Sequence, residues 1–169
     1  LDVKPYLLPT AHTPVDGLVL ETARKITGNE QDPLKKARLI YEWVSSHMER
    51  DNDVIGCGTG DVAEILKSGK LKGKCTDMSS VFVALARASG IPARELFGIR
   101  LGKANKLERY SKSAFGKADS AGVADVSGGQ HCRAEFYLAG YGWLPCDPAD
   151  VTKMRLAEKK SHQDADVQA

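Results

Sequence analysis

Gly73-Lys74-Cys75-Thr76-Asp77-Met78-Ser79-Ser80-Val81-Phe82-Val83-Ala84-Leu85-Ala86-Arg87-Ala88-Ser89-Gly90-Ile91-Pro92 sets a cysteine at the start of a helix. Met78, Val81, Phe82 and Leu85 recur at helical spacing, Gly90 stops the run, and Ile91-Pro92 begins an extended stretch. A thiol at that place is unusual. The unpaired N–H groups and the helix dipole favour a thiolate and lower its pKa, and Lys74 puts a positive charge beside it. The same N–H groups can hold the oxyanion formed when a carbonyl is attacked. The plain alternative is a small buried hydrophobe, which describes most free cysteines.

Downstream, residues 93–101 alternate loosely and read as a strand. The stretch from Gly102 to Gln130 is rich in Gly, Ser, Ala and Lys without periodicity. It reads as a long functional loop and is expected to form a mobile flank of the cleft. Two strands follow, His131 to Leu138 and Trp143 to Asp147, joined by Ala139-Gly140-Tyr141-Gly142. In the first strand Cys132, Ala134, Phe136 and Leu138 make an apolar face, so His131 belongs to the polar one. With Gly140 at the apex of the turn, Asp147 lies opposite Arg133 and diagonal to His131. Diagonal partners have Cα atoms roughly 7–8 Å apart, within reach of a carboxylate–imidazole hydrogen bond. A slip of one residue would move Asp147 to the other face. Separately, His131 also reads as a solvated side chain and Asp147 as a strand-ending turn residue.

Upstream, Asp32 caps a helix opened by Pro33, with Leu34, Ala37, Ile40, Tyr41 and Val44 along one face. An earlier helix covers Asp16 to Ile26 and ends near Gly28. A short one covers Asp61 to Leu66. Beyond Val151 the chain turns polar and charged, so residues 152–169 read as a loose tail or frayed helix, and 1–151 as one domain. The 169 residues can bury a core without disulfides. Apolar residues are 42% and charged residues 27%, which places the chain in the folded globular class. A net charge of +2, without a basic stripe, argues against a nucleic-acid partner. No apolar run is long enough to span a membrane. The four cysteines Cys57, Cys75, Cys132 and Cys146 include no C-x-x-C pair, so the usual zinc spacing is absent. No cofactor and no metal are called for.

A cysteine at a helix N-terminus, a histidine on a strand and an aspartate on the next make a thiol triad. In such a triad Cys75 would be the nucleophile, His131 the base and Asp147 the group that orients the imidazole. At this point the sequence resembles a known family. The segments 73–77 and 83–94, then His131-Cys132-Arg133-Ala134-Glu135-Phe136-Tyr137, then Gly142-Trp143-Leu144-Pro145-Cys146-Asp147-Pro148-Ala149, look like the ordered motifs of the transglutaminase-like superfamily. Ile40-Tyr41-Glu42-Trp43-Val44 fits as well, and the resemblance covers roughly residues 33–150.

The resemblance implies an α+β, papain-like fold: a nucleophile helix packed on an antiparallel β-sheet. It carries the catalytic roles onto Cys75, His131 and Asp147. It implies a peptide or protein substrate cleaved through an acyl-enzyme thioester. Many bacterial relatives are exported, and the chain opens on Leu1 rather than Met, so a periplasmic or secreted protein is expected. Family members often carry an oxyanion-binding aromatic after the Trp-containing helix. Here that stretch is His47-Met48-Glu49-Arg50-Asp51, and the role cannot be transferred. Gln130 is a possible side-chain donor but sits beside the base. Hydrolysis is expected over amine transfer, because cross-linking needs a tunnel walled by bulky aromatics. Trp43 reads as core, while Trp143 shares a strand face with Asp147 and could cover the site. The alternatives are a cross-linking transglutaminase, a non-catalytic peptide-binding module keeping the fold, and a structural metal protein using His131, Cys132 and Cys146. In an exported protein Cys57, Cys132 and Cys146 could include a disulfide. Oligomeric state is not legible.

Overall fold

The computed structural model describes residues 2–99, 119–123, 125–161 and 164. The chain orders as helix α1 (Gly17–Thr27), α2 (Pro33–His47), strand β1 (Glu49–Arg50), α3 (Val62–Lys67), β2 (Lys72–Gly73), α4 (Cys75–Ala88), β3 (Ala93–Ile99), β4 (Gln130–Leu138), β5 (Gly142–Cys146) and α5 (Pro148–Glu158). Most of the loop expected over Gly102 to Gln130 lies outside the described residues. Its last turn, Ser127–Gly129, is a short 3-10 helix leading into β4.

The helix boundaries follow from local chemistry. Asp32 accepts the N–H groups of Leu34 and Lys35, and Pro33 occupies the first helical position, where no N–H is needed. Asp61 accepts the N–H of Glu64 and starts α3. Gly28 closes α1 with a positive φ of 53°, a conformation that costs glycine little.

α4 is the centre of the molecule. Every residue from Cys75 to Ala86 is buried, so this helix is enclosed all round rather than on one stripe, its polar Thr76, Asp77, Ser79 and Ser80 included. It packs against α1, α2, α3 and α5 on its outer sides and against β3 and β4 on the inner one. Phe82 meets Phe136 of β4 with ring centroids 6.1 Å apart. The three-stranded sheet runs antiparallel in the order β3-β4-β5. Cys132, Ala134, Phe136 and Leu138 face α4, and His131, Arg133, Glu135 and Tyr137 point away from the core, as the alternation requires. β4 and β5 pair Ala134 with Cys146 and Leu138 with Gly142, so Gly140 is the apex of the turn. This is the register that puts Asp147 opposite Arg133.

The far side of the sheet is closed by the N-terminal segment. Tyr6, in a 3-10 turn spanning Lys4–Leu7, meets Trp143 edge-on at 4.8 Å. The Arg94 guanidinium lies 4.1 Å over the Trp143 ring and pairs with Glu135 at 2.9 Å. Trp143 therefore packs at the turn end of the hairpin. It shares a face with Asp147, but four residues of strand separate the two by roughly 13 Å, and it does not cover the site.

The segment expected to be a loose tail or frayed helix from 152 onward runs on as the second half of α5. Thr152 is fully buried and donates its hydroxyl to the Ser45 carbonyl of α2 at 3.2 Å. Met154 is buried beside it. Residues 162, 163 and 165–169 lie outside the described residues. Because Met154 packs into the body, Met154→Ala should lower the free energy of unfolding by about 2 kcal/mol or more. Urea denaturation measures this. A change within about 0.5 kcal/mol, the usual range for an exposed position, would mean that α5 does not pack.

Candidate active site

Cys75 is the first residue of α4, and the chain before it is pinned by Asp77. Asp77 is buried, and its carboxylate accepts the N–H of Lys74 at 2.8 Å and of Gly60 at 2.9 Å. Two glycines make that approach possible. A Cβ on Gly58 would sit 1.9 Å from the Asp77 carboxylate, and one on Gly73 would sit 2.4 Å from it. The loop over 56–60 is thus pressed onto the start of α4. Thr76 N–H then donates to the Cys57 carbonyl at 2.9 Å. The Lys74 ammonium donates to the Val54 carbonyl. The ammonium is held against that loop, and Lys74 also lines the cleft.

His131 and Asp147 meet through the hairpin. His131 Nε2 lies 2.5 Å from Asp147 Oδ2. The other carboxylate oxygen of Asp147 accepts the N–H of Asp150 at 2.9 Å and caps α5, whose first residue is Pro148. One side chain thus orients the imidazole and starts a helix. Asp150 Oδ2 stands 3.9 Å from the same ring nitrogen. On the β3 side His131 pairs with Gly98, which has no side chain to fill the space.

The electrostatics follow from these contacts. The Cys75 thiol is pulled down to about 3, chiefly by a hydrogen bond from Cys132. Burial opposes this, and His131 and Cys57 add to the lowering. For His131, burial works against the charged ring, but the Asp147 hydrogen bond and the Cys75 thiolate outweigh it and raise the ring to about 9. Thiolate and imidazolium therefore hold each other charged at neutral pH. The other thiols go the opposite way. Cys132 is pushed up by the Cys75 thiolate, and Cys57 and Cys146 by burial.

Cys75 and His131 open into a cavity of about 450 Å³ that Arg50, Lys74, Asp150 and Lys153 also line. A second hollow of about 580 Å³ lies across His131, against Phe97 and Ile99 of β3. Gln130 lines the first cavity, and its side-chain oxygen accepts the Cys57 thiol at 3.8 Å.

All four cysteines are free thiols. Among the described residues two groups could hold a metal ion, each with its ligand atoms within 4.8 Å of one another: Cys57, Cys75 and Cys132, and His131, Asp147 and Asp150. Cys146 belongs to neither, so the arrangement of His131 with Cys132 and Cys146 is not assembled. Sequence reading singled out Cys75, His131 and Asp147, and these three come together. It missed the parts of Asp77, Cys57 and Cys132. The available signal was glycine at 56, 58, 60 and 73, which marks where backbone must approach something closely.

Residues 20–148 match the family described as the transglutaminase-like superfamily. An uncharacterized protein of Haemophilus influenzae is 66% identical over all 169 residues, which make up 46% of that relative. The chain thus spans just under half the length of the curated relative it matches. Among solved structures, a candidate cysteine protease from Cytophaga hutchinsonii superposes with a TM-score of 0.63 at 22% identity, covering 88% of this chain and 43% of that one. The periplasmic domain of TgpA from Pseudomonas aeruginosa gives a TM-score of 0.62 at 19% identity, covering 95% of this chain and 54% of that one. The fold is that of the papain-like transglutaminase core.

The charge arrangement has a direct readout. Iodoacetamide at pH 5 should alkylate Cys75 and leave Cys57, Cys132 and Cys146 unmodified, because only Cys75 is a thiolate that far below the ordinary thiol range. Mass mapping of the folded protein identifies the labelled site. Reactivity that rises only near pH 8–9, or labelling of Cys57 or Cys146 first, would contradict the assignment.

Proposed function

The chain belongs to the transglutaminase-like superfamily, and from that premise we propose that it is a thiol hydrolase acting on peptide, isopeptide or side-chain amide bonds. The observation that carries the reading is the His131–Asp147 hydrogen bond of 2.5 Å beside a cysteine at the first position of a buried helix.

In the proposed cycle the Cys75 thiolate attacks the amide carbonyl carbon. Negative charge passes to the carbonyl oxygen, where the backbone N–H of Cys75 at the helix start is placed to stabilise it. The tetrahedral intermediate collapses as His131 gives its proton to the leaving nitrogen. The amine departs and a thioester remains on Cys75. Water then enters, His131 takes its proton, and the second intermediate collapses to a free acid and the thiolate. Asp147 holds Nε2 of His131 throughout, which leaves Nδ1 to serve the thiol and the leaving group.

Hydrolysis is preferred over amine transfer because of what surrounds the thiol. Among the described residues no aromatic side chain lines the cavity over Cys75. Trp143 is committed to Tyr6 and Arg94 at the turn end of the hairpin. Phe97 borders the neighbouring hollow across His131, and among the described residues no bulky aromatic closes the cavity side of the thioester to water. A periplasmic or secreted location fits the likeness to the periplasmic domain of TgpA. No helix among the described residues is long and apolar enough to cross a membrane.

Two outcomes are expected. Asp147→Asn should cut kcat by roughly a hundredfold or more while leaving Tm nearly unchanged, since asparagine caps α5 about as well as aspartate. An unchanged kcat in the folded variant would remove Asp147 from the triad. With an acyl donor and a primary amine at millimolar level, free acid should dominate over amide adduct. Adduct in excess at modest amine concentration would turn the reading to a transferase with the triad intact.

A further inference from the structure

The proposed hydrolysis uses one thiol, yet three converge. The sulfur atoms of Cys57, Cys75 and Cys132 all lie within 4.8 Å of one another, and no disulfide joins them. They come from three separate elements. Cys57 stands in the loop before α3, between Gly56 and Gly58, both at positive φ. Cys75 starts α4, and Cys132 lies on the core face of β4.

Each is held in place independently of any ligand. The Cys57 carbonyl takes the Thr76 N–H at 2.9 Å. Cys132 lies 3.1 Å from the Thr76 hydroxyl, and its carbonyl accepts from Ser79 at 3.5 Å. The loop carrying Cys57 is further anchored by Asp77 through Gly60. The three sulfurs are thus a preorganised face rather than a chance approach of mobile side chains.

We propose that Cys57, Cys75 and Cys132 form a binding site for a thiophilic divalent cation, zinc above all, which caps the nucleophile and holds the enzyme inactive. A tetrahedral zinc with Zn–S bonds of about 2.3 Å places its sulfurs about 3.8 Å apart. Sulfurs already within 4.8 Å reach that spacing with shifts of under about 1 Å each. Thiolate ligands favour a soft or borderline ion over magnesium or calcium. Binding displaces the remaining thiol protons to solvent and uses the lone pairs with which Cys75 would attack a carbonyl. Cys57 and Cys75 line the cleft, so the fourth corner of the tetrahedron is reached from there, by water or by His131.

The test titrates reduced, chelator-stripped protein with zinc chloride by calorimetry, and with cobalt chloride by absorbance. Wild type should bind one ion and show thiolate-to-cobalt charge transfer. Zinc should also block alkylation of Cys75, and chelator should restore it. Cys57→Ser and Cys132→Ser should each weaken zinc binding roughly 100-fold or more, since even outer-shell losses can reach that scale. Asp150→Asn should leave binding intact. Circular dichroism controls for folding, and if Cys132→Ser does not fold, the half-exposed Cys57→Ser decides alone. Absence of micromolar binding by wild type, or affinity unchanged in Cys57→Ser, overturns the proposal. So does loss of binding in Asp150→Asn alone, which would put the ion on His131, Asp147 and Asp150. None of these readouts depends on hydrolytic turnover, so the inference can fail while the hydrolase reading stands, and the reverse.

Discussion

The Asp77 carboxylate, buried under two backbone N–H groups, is the contact on which the site depends. A buried carboxylate without partners would be costly, and here Lys74 and Gly60 supply them at 2.8 and 2.9 Å. This one group fixes the start of α4, the residue before the nucleophile and the loop carrying Cys57. It also explains why glycine stands at 58 and 73, where a Cβ would overlap the carboxylate. Cys75 then emerges at a helix start that is held rigidly, where dipole and hydrogen bonds favour the thiolate.

A second carboxylate does comparable work from the sheet side. Asp147 binds His131 through one oxygen and caps α5 through the other. The imidazole is therefore oriented by a residue that is itself fixed by a helix. α5 in turn is held by Thr152 on the carbonyl of Ser45 and by the burial of Met154. Helix and strand thereby bring two charged groups to a common edge, and each shifts the other's protonation toward the charged form.

Much of this was legible in the residues. Asp32 before Pro33 and Asp61 before Glu64 announce helix starts, and both act as caps. The alternation from Cys132 to Leu138 identifies the core face of β4, and Gly140 as the turn's apex fixes the register with β5. A frayed helix beyond Val151 was one expectation, but the start of α5 at Pro148 was not read, although Asp147-Pro148 repeats the Asp32-Pro33 signature. Its charged composition, including Lys153, Arg155 and Glu158, hid the buried Thr152 and Met154. Face assignment alone could not locate Trp143, because sharing a strand face with Asp147 says nothing of distance along the strand. The gathering of Cys57 and Cys132 around Cys75 depends on contacts across 18 and 57 positions of sequence, which local pattern does not encode.

The central claim is that Cys75 and His131 form a thiolate–imidazolium pair. Nuclear magnetic resonance titration of His131 in wild type and in Cys75→Ala tests it most directly. The account predicts that the wild-type ring loses its proton only near pH 9, and that the midpoint falls when the thiolate is removed. A ring titrating near its ordinary value of 6.5 in both proteins would contradict it.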